Sequence, residues 1–340
     1  MLLLMHTAPV LAGVLLMVLL AACTGHETSA PRFALAIHAG AGVIDKNTPP
    51  EKVAEYEASL RAALALGRDH LASGGTSLDA VEKVVRFLED DPLFNAGKGA
   101  VFTEDGRHEL DAAIMDGATL RCGAVAGVTT VKNPISLARL VMERTRFILF
   151  TGPGAEAFAT TMGVPRVENS SFDTPHRREA LEKELEKRRA AQQPKPQSAA
   201  APPDDDHGTV GAVALDIHGN LAVATSTGGL TAKTPGRVGD TPLIGCGSYA
   251  DNATCALSCT GSGEQFIRHA AAKEVSDLVH YRAMSVQKAA EEVILRRLKP
   301  NDGGLIAVSR NGDIALVFST PGMFRGTADS KGRFEVAIWR

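Results

Sequence analysis

The stretch Asp204-Asp205-Asp206-His207-Gly208-Thr209-Val210-Gly211-Ala212-Val213-Ala214-Leu215-Asp216 joins two unlike kinds of chain. Before it, residues Gln192 to Asp206 are rich in Pro, Ala and Asp, a composition that stays mobile. After it, Val210 to Leu215 is an unbroken run of small apolar residues, and Thr209 stands at the junction. A connection this long and polar is a poor link between packed elements. A tail ending at a chain break has no such difficulty.

Gly219-Asn220 turns the chain, and Leu221 to Thr227 returns antiparallel. Both runs are apolar throughout, which predicts a sheet covered on both faces. A simple hairpin register brings Thr227 next to Thr209. Upstream, Phe33 to Ile37 reads as a strand running into the Gly-rich turn His38-Ala39-Gly40-Ala41-Gly42. The turn lacks the spacing of a phosphate loop.

Apolar periodicity predicts helices over Pro50–Ser73 and from Thr76 or Ser77 to Asp90-Asp91-Pro92. Phe94 to Phe102 reads as a loop entering a strand, paired as a hairpin with a strand over Glu109–Gly117. Cys122–Val131 and Phe147–Thr151 read as buried strands. Helices are expected from Pro134, over Gly154–Met162 and over the charged segment His176–Arg189. Beyond Thr227, a strand at Ala256–Cys259 enters a Gly-rich loop. Helices then follow from Glu264 and over Val286–Arg297. A hairpin turns at Asn311-Gly312, and a last strand spans Phe334–Trp339. Strands in hairpins with helices on both outer sides predict an α+β chain, a four-layer αββα sandwich.

The 340 residues are 44% hydrophobic and carry a net charge of −3, so there is no electrostatic case for nucleic acid. Aromatics make up only 5%, which does not suit a base-stacking platform. Leu11 to Ala22 is apolar but too short to span a bilayer comfortably. It ends in Leu20-Ala21-Ala22-Cys23, which resembles a bacterial lipoprotein signal. That resemblance implies removal of residues 1–22, lipidation of Cys23, a polar tether over 23–32, and a place in the cell envelope facing the periplasm, on the outer membrane rather than the inner. No Lys or Arg precedes the apolar run. Cys122, Cys246, Cys255 and Cys259 fit no metal or redox spacing and read as small buried hydrophobes.

A Thr hydroxyl is a weak nucleophile that needs a base within reach. A free α-amine, with a reference pKa of about 7.7–8.0, is such a base. Only a cut between Gly208 and Thr209 creates that pair on one residue, and Gly208 tolerates a strained scissile bond. Taken alone, Gly-Thr at a strand start reads as a Thr that merely opens the strand.

The wider motif set narrows the choice. His38 to Gly42, Phe94-Asn95-Ala96-Gly97, Asp111 to Gly117, His207 to Gly211, Thr225 to Gly229, Pro235 to Asp240 and Cys259 to Glu264 occur in order. Together they resemble the plant-type asparaginase, or isoaspartyl peptidase, family of N-terminal-nucleophile hydrolases. The resemblance implies an α subunit over 33–208, with a flexible linker at about 190–206, and a β subunit over 209–340. It implies assembly of the cleaved halves as an (αβ)2 heterotetramer. It implies Thr209 as nucleophile, oriented by Thr227, with Thr260 and the Gly261 N–H as oxyanion hole. Arg237 would clamp a substrate carboxylate and Asp240 an ammonium, with Val238, Gly239, Ser262 and Gly263 around them. The carbonyls of Leu88, Glu89, Asp91, Phe94, Ala96 and Lys98, near Asn95, would form a structural sodium loop. No cofactor enters the chemistry. The implied reaction releases L-aspartate from β-aspartyl dipeptides and L-asparagine. Glycosylasparaginase is the nearest alternative, but its pattern after Thr-Gly is Asp-Gly-Asp, whereas this chain continues Ser262-Gly263-Glu264. A non-catalytic lipoprotein that binds amino acids or peptides is the alternative from another class, and it would remain uncut.

Overall fold

The computed structural model describes residues 32–42, 45–191 and 208–340. The leader, Cys23, nearly all of the tether, His207 and nearly all of the expected linker lie outside the described residues.

Two sheets carry the fold. The eight-stranded sheet has the order β12-β11-β1-β5-β6-β2-β3-β4. Its strands are β1 (Ala34–Ala41), β2 (Leu110–Asp116), β3 (Cys122–Val128), β4 (Leu149–Thr151), β5 (Val210–Leu215), β6 (Leu221–Thr227), β11 (Gly322–Asp329) and β12 (Phe334–Trp339). The four-stranded sheet runs β10-β9-β8-β7. It comprises β7 (Ser248–Ala250), β8 (Cys255–Gly261), β9 (Gly303–Ser309) and β10 (Ile314–Phe318).

Alternation along the central strands explains the layers. Leu35, Ile37, Val210, Ala212 and Ala214 face a core shared with α1 (Pro50–Ala72), α2 (Ser77–Asp90) and α3 (Pro134–Arg144). Ala34, Ala36, Val213 and Leu215 point the other way, onto Ala256, Ile306 and Val308 of the second sheet. The outer face of that sheet is covered by α7 (Ala271–Arg282) and α8 (Val286–Glu291), with Leu257, Val275, Val293 and Leu305 buried between. The expected αββα order is present. Successive side chains of β1 and β5 are buried on opposite faces, which is why these strands read as unbroken apolar runs. The remaining helices are α4 (Gly152–Thr161), α5 (Pro175–Ala191) and α6 (Gly263–His269). Thr76 caps α2 by accepting from Asp79 N. No described helix is long and apolar enough to cross a membrane.

Four local readings change. The expected strand through Phe102 is a 3-10 turn at Gly97–Gly99, followed by extended chain with a single bridge from Thr103 to Lys233. The hairpin partner of β2 is β3 instead. His38 to Ala41 is not a turn but a continuation of β1 through an irregularity in register. The Phe147–Thr151 strand is short, parallel to β3 and at the sheet edge. Phe147 and Ile148 are accordingly half exposed rather than buried. Strand β11 has little apolar signal and was not anticipated, yet it pairs β1 along most of its length. The four described cysteines are unpaired thiols, with Cys255 and Cys259 buried and Cys122 and Cys246 partly so.

The tightest helix–sheet approach is at Gly123 on β3. A Cβ there would lie 2.1 Å from Ala138 O and 2.6 Å from Met142 N, both on α3. Backbone cannot yield as a side chain can. Gly123→Ala is therefore expected to cost about 1–3 kcal/mol as an overpacking change, read as a lowered midpoint in thermal or urea unfolding.

Candidate active site

Strand pairing assembles the site. Val210 lies opposite Ser226, so Thr209 and Thr227 meet at the same end of the β5–β6 ladder. The Thr209 hydroxyl donates to Thr227 Oγ1 at 3.2 Å, and the Gly229 N–H donates to the same oxygen at 3.0 Å. Thr209 is nearly buried, at 8% exposure.

A buried polar chain holds Thr209 from below. His38 Nδ1 lies 2.9 Å from Thr209 O, and its Nε2 lies 2.7 Å from Ser258 Oγ. Ser258 Oγ is also 2.8 Å from Thr225 Oγ1. The Thr209 carbonyl can only accept, so Nδ1 carries the proton and Nε2 accepts from Ser258. Burial pushes the His38 imidazole down to about 3, against the pull of its bond to Thr209. Gly211 makes room for this chain, because a Cβ there would lie 2.2 Å from Ser258 Oγ and 2.4 Å from His38 Nε2.

On the other face of β6, Ser226 donates to Glu89 Oε1 at 2.7 Å, and Ile135 N donates to the same oxygen at 3.0 Å. Burial pushes the Glu89 carboxyl up to about 8. This contact ties β6 to the end of α2, where the following loop presents Asn95. The Asn95 amide is fixed on both sides, donating to Gly229 O at 2.7 Å and accepting from Val101 N at 2.9 Å.

A small recess opens at Thr209, lined by Thr227, Gly229, Arg237, Asp240 and Gly261 among others. Asp240 is buried, and burial pushes its carboxyl up to about 7 against the pull of Arg237. Its Oδ2 and the buried Thr260 Oγ1 have no hydrogen-bond partner among the described residues. Such orphaned groups are uncommon in folded proteins and call for an explanation. Gly261 is held at φ +145°, where a Cβ would meet Asp302 O at 2.1 Å. Arg237 forks onto Glu264 through Nε and Nη2, both at 2.9 Å. Arg237 is thus ion-paired with Glu264, while its Nη1 side faces Gly229 and Gly239. Gly263 packs against both Asp240 and Arg237. Gly239 lines the recess; Val238 and Ser262 are not among its lining residues, and Ser262 stands at the start of α6 without a side-chain capping bond.

Sequence reasoning missed several neighbours. Asp111 pairs in register with Thr227. Burial raises its carboxyl, opposed by Lys233, and lowers the Lys233 ammonium, opposed by Asp111. Lys233 donates to Glu109 O at 2.8 Å. Thr225 and Ser258 could have been found as hydroxyls inside apolar strands; a lone Lys in a loop gives no signal.

In the candidate sodium loop, Cβ atoms built on Gly97 and Gly99 would meet Glu89 O and Phe94 O, each at 2.2 Å. Both glycines therefore pack directly on main-chain carbonyls, the class of oxygen donor that hard cations take. The Lys98 ammonium is bonded to Ser171 O at 2.7 Å. Among the described residues no cluster of His, Cys, Asp and Glu could hold a metal.

An αββα stack with a Thr leading an inner strand, its hydroxyl facing a polar recess, has the architecture of an N-terminal-nucleophile hydrolase. The chain belongs to the asparaginase family (Asparaginase_2), whose profile matches residues 31–338. It is 49% identical over 295 residues to an isoaspartyl peptidase of Salmonella typhimurium, covering 86% of this chain and 93% of the relative. An isoaspartyl peptidase of Escherichia coli is 48% identical over 294 residues, covering 86% and 91%. An isoaspartyl peptidase/L-asparaginase of Homo sapiens is 42% identical over 301 residues, covering 87% and 93%.

The His38 geometry sets a pH dependence. The unfolded chain binds a proton at His38 near pH 6.5, whereas the folded chain resists it down to about 3. Stability from this residue is therefore complete above pH 6.5 and falls as pH drops toward 3, by up to about 1.4 kcal/mol per unit. His38→Gln should flatten that part of the stability–pH curve, measured by denaturant unfolding between pH 7 and 4.5.

Proposed function

We propose that the chain cuts itself between Gly208 and Thr209, and that the freed Thr209 then hydrolyses β-aspartyl amides. The substrates are β-aspartyl (isoaspartyl) dipeptides and L-asparagine, and L-aspartate is the common product. One observation carries the reading: the Thr209 hydroxyl, bonded to Thr227, opens onto the recess that also holds Arg237 and Asp240. The names of the relatives point to the same substrates.

The chemistry follows from these groups. The freed α-amine of Thr209 takes the proton from its own Oγ, and Oγ bonds to the side-chain carbonyl carbon of the substrate. Charge developing on the carbonyl oxygen is met by the Thr260 hydroxyl and the Gly261 N–H, donors fixed before the reaction begins. The C–N bond breaks as the α-ammonium protonates the departing nitrogen. Ammonia or an amino acid leaves, and water cleaves the acyl-Thr209 ester to give L-aspartate. Arg237 holds the substrate α-carboxylate, for which a planar fork is the best match. Asp240 holds the α-ammonium, which would satisfy its unpaired oxygen.

The same reading divides the chain into residues 33–208 and 209–340 and pairs two cleaved units as (αβ)2. Sodium bound by carbonyls of the Leu88–Lys98 loop would stiffen the segment that presents Asn95 and take no part in proton transfer. A lipid on Cys23 would place the enzyme on the envelope, facing the periplasm.

Intact-mass analysis of the purified chain over time should show two fragments meeting at Gly208/Thr209, and Thr209→Ala should stay whole. A wild-type chain that remains single and inert toward L-asparagine and β-aspartyl dipeptides would sink the proposal. In the cut enzyme, Thr260→Val should lower kcat by about 100–1,000-fold, as for loss of one oxyanion donor, with little change in KM. A carboxyl at about 7 is largely protonated at pH 6. L-aspartate should therefore bind more weakly as pH falls below 7 and level off above it. Calorimetric titration across pH 5.5–8.5 checks this, and Asp240→Asn should lose both the affinity and its slope.

A further inference from the structure

Two cations crowd one glycine at the Arg237 end of the Thr209 recess. Gly229 lines that recess at φ +85°. A Cβ built on it would lie 3.0 Å from the Lys233 ammonium and 3.3 Å from Arg237 Nη1. Lys233 is 4% exposed and is not itself a lining residue.

Main-chain bonds already hold the loop without that ammonium. Ala232 N donates to Phe102 O at 2.8 Å, Glu104 N to Lys233 O at 2.9 Å, and Gly236 N to Glu109 Oε2 at 2.8 Å. Gly229 is fixed separately, donating to Thr227 Oγ1 and accepting from the Asn95 amide. Burying an ammonium is costly, and an apolar side chain would fill the same place without that cost. The charge at Lys233 therefore calls for a purpose other than packing.

Its surroundings supply one. Arg237 commits Nε and Nη2 to Glu264, so much of its charge is already answered. Only its Nη1 side meets the recess glycines Gly229 and Gly239. The Lys233 ammonium donates to Glu109 O, a neutral partner, at 2.8 Å. Asp111 attracts it without closing an ion pair: Asp111 Oδ1 accepts from Gly127 N at 2.8 Å, and Oδ2 has no hydrogen-bond partner among the described residues. Much of the Lys233 charge is thus left to act on its neighbours, and salt screens a buried charge little.

We propose that Lys233 is a positioning residue for substrate: acting through Gly229 and Arg237, it restores the positive charge that Glu264 takes from Arg237 and sets the affinity of the recess for the α-carboxylate of the aspartyl head. Its hydrogen bond goes to Glu109 and not to Thr209, Thr227 or Thr260. Loss of the charge should therefore weaken binding and spare the chemical step. The inference rests on the hydrolase reading above and adds a residue outside the recess that sets its affinity.

The test uses the self-cleaved full chain, with L-asparagine as substrate and L-aspartate as ligand. Lys233→Gln removes the charge but keeps a donor for Glu109 O, whereas Lys233→Met removes both. Each should raise the KM for L-asparagine and the calorimetric Kd of L-aspartate by about tenfold, with kcat within about twofold of the wild type. A Gln variant that binds like the wild type would assign the effect to the bond with Glu109 and overturn the role of the charge. A fall in kcat as large as the rise in KM, or with KM unchanged, would place Lys233 in the support of Thr209 and overturn the proposal as well. If Lys233→Met alone does not fold, Lys233→Gln decides; if neither folds or cuts itself, Lys233 is a support of the whole junction and the proposal falls. A wild type that turns over neither L-asparagine nor β-aspartyl dipeptides would overturn the hydrolase reading itself.

Discussion

The bond between the Thr209 and Thr227 hydroxyls depends on a constraint set further down: β5 and β6 are covered on both faces. A strand pair in that position cannot send its polar groups to water, so each must find a partner in the protein. The hydroxyls of Thr225 and Ser258 and the imidazole of His38 do so by joining one chain that ends on the Thr209 carbonyl. Ser226, facing the other way, finds Glu89. The junction residue is thus held by the two strands, by the second sheet through Ser258, and by α2 through Glu89. The four layers serve as the frame that fixes one hydroxyl within hydrogen-bond reach of its neighbour.

Much of this was legible in the sequence because the constraint leaves a composition behind. Unbroken Val-Gly-Ala-Val-Ala-Leu and Leu-Ala-Val-Ala runs state that both faces are covered, and Gly219-Asn220 sets the register that brings Thr227 to Thr209. The lining of the recess was legible where its motifs are local: Arg237 and Asp240 share one loop, and Thr260 and Gly261 adjoin. Contacts between distant segments were not legible. β11 carries Gly, Arg, Thr and Asp, so nothing in its pattern announces a strand, and only its place beside β1 gives it one. The Phe147–Thr151 run is apolar enough to suggest burial, but apolarity carries no position; at a sheet edge, one side has no neighbour. Lys233 reaches Asp111 and Glu109 through packing that no spacing encodes.

The unpaired groups tell where the structure stops satisfying itself. Most buried polar atoms around Thr209 are paired, including those of His38, Asn95, Ser226 and Ser258. Unpaired among the described residues near Thr209 are Asp240 Oδ2, Thr260 Oγ1, Asp111 Oδ2 and Glu89 Oε2. Leaving a buried polar group unpaired costs about 1–3 kcal/mol, and of these groups Asp240 lines the recess at Thr209. A ligand carrying an ammonium and a carbonyl one short side chain apart supplies what Asp240 and Thr260 lack. Burial raises the Asp240 carboxyl against the pull of Arg237. An ammonium placed at its open oxygen would reverse the shift and return the cost as binding free energy. Under the proposed function, selectivity for a small zwitterion would follow from what the folded chain leaves unpaired, more than from the shape of the recess.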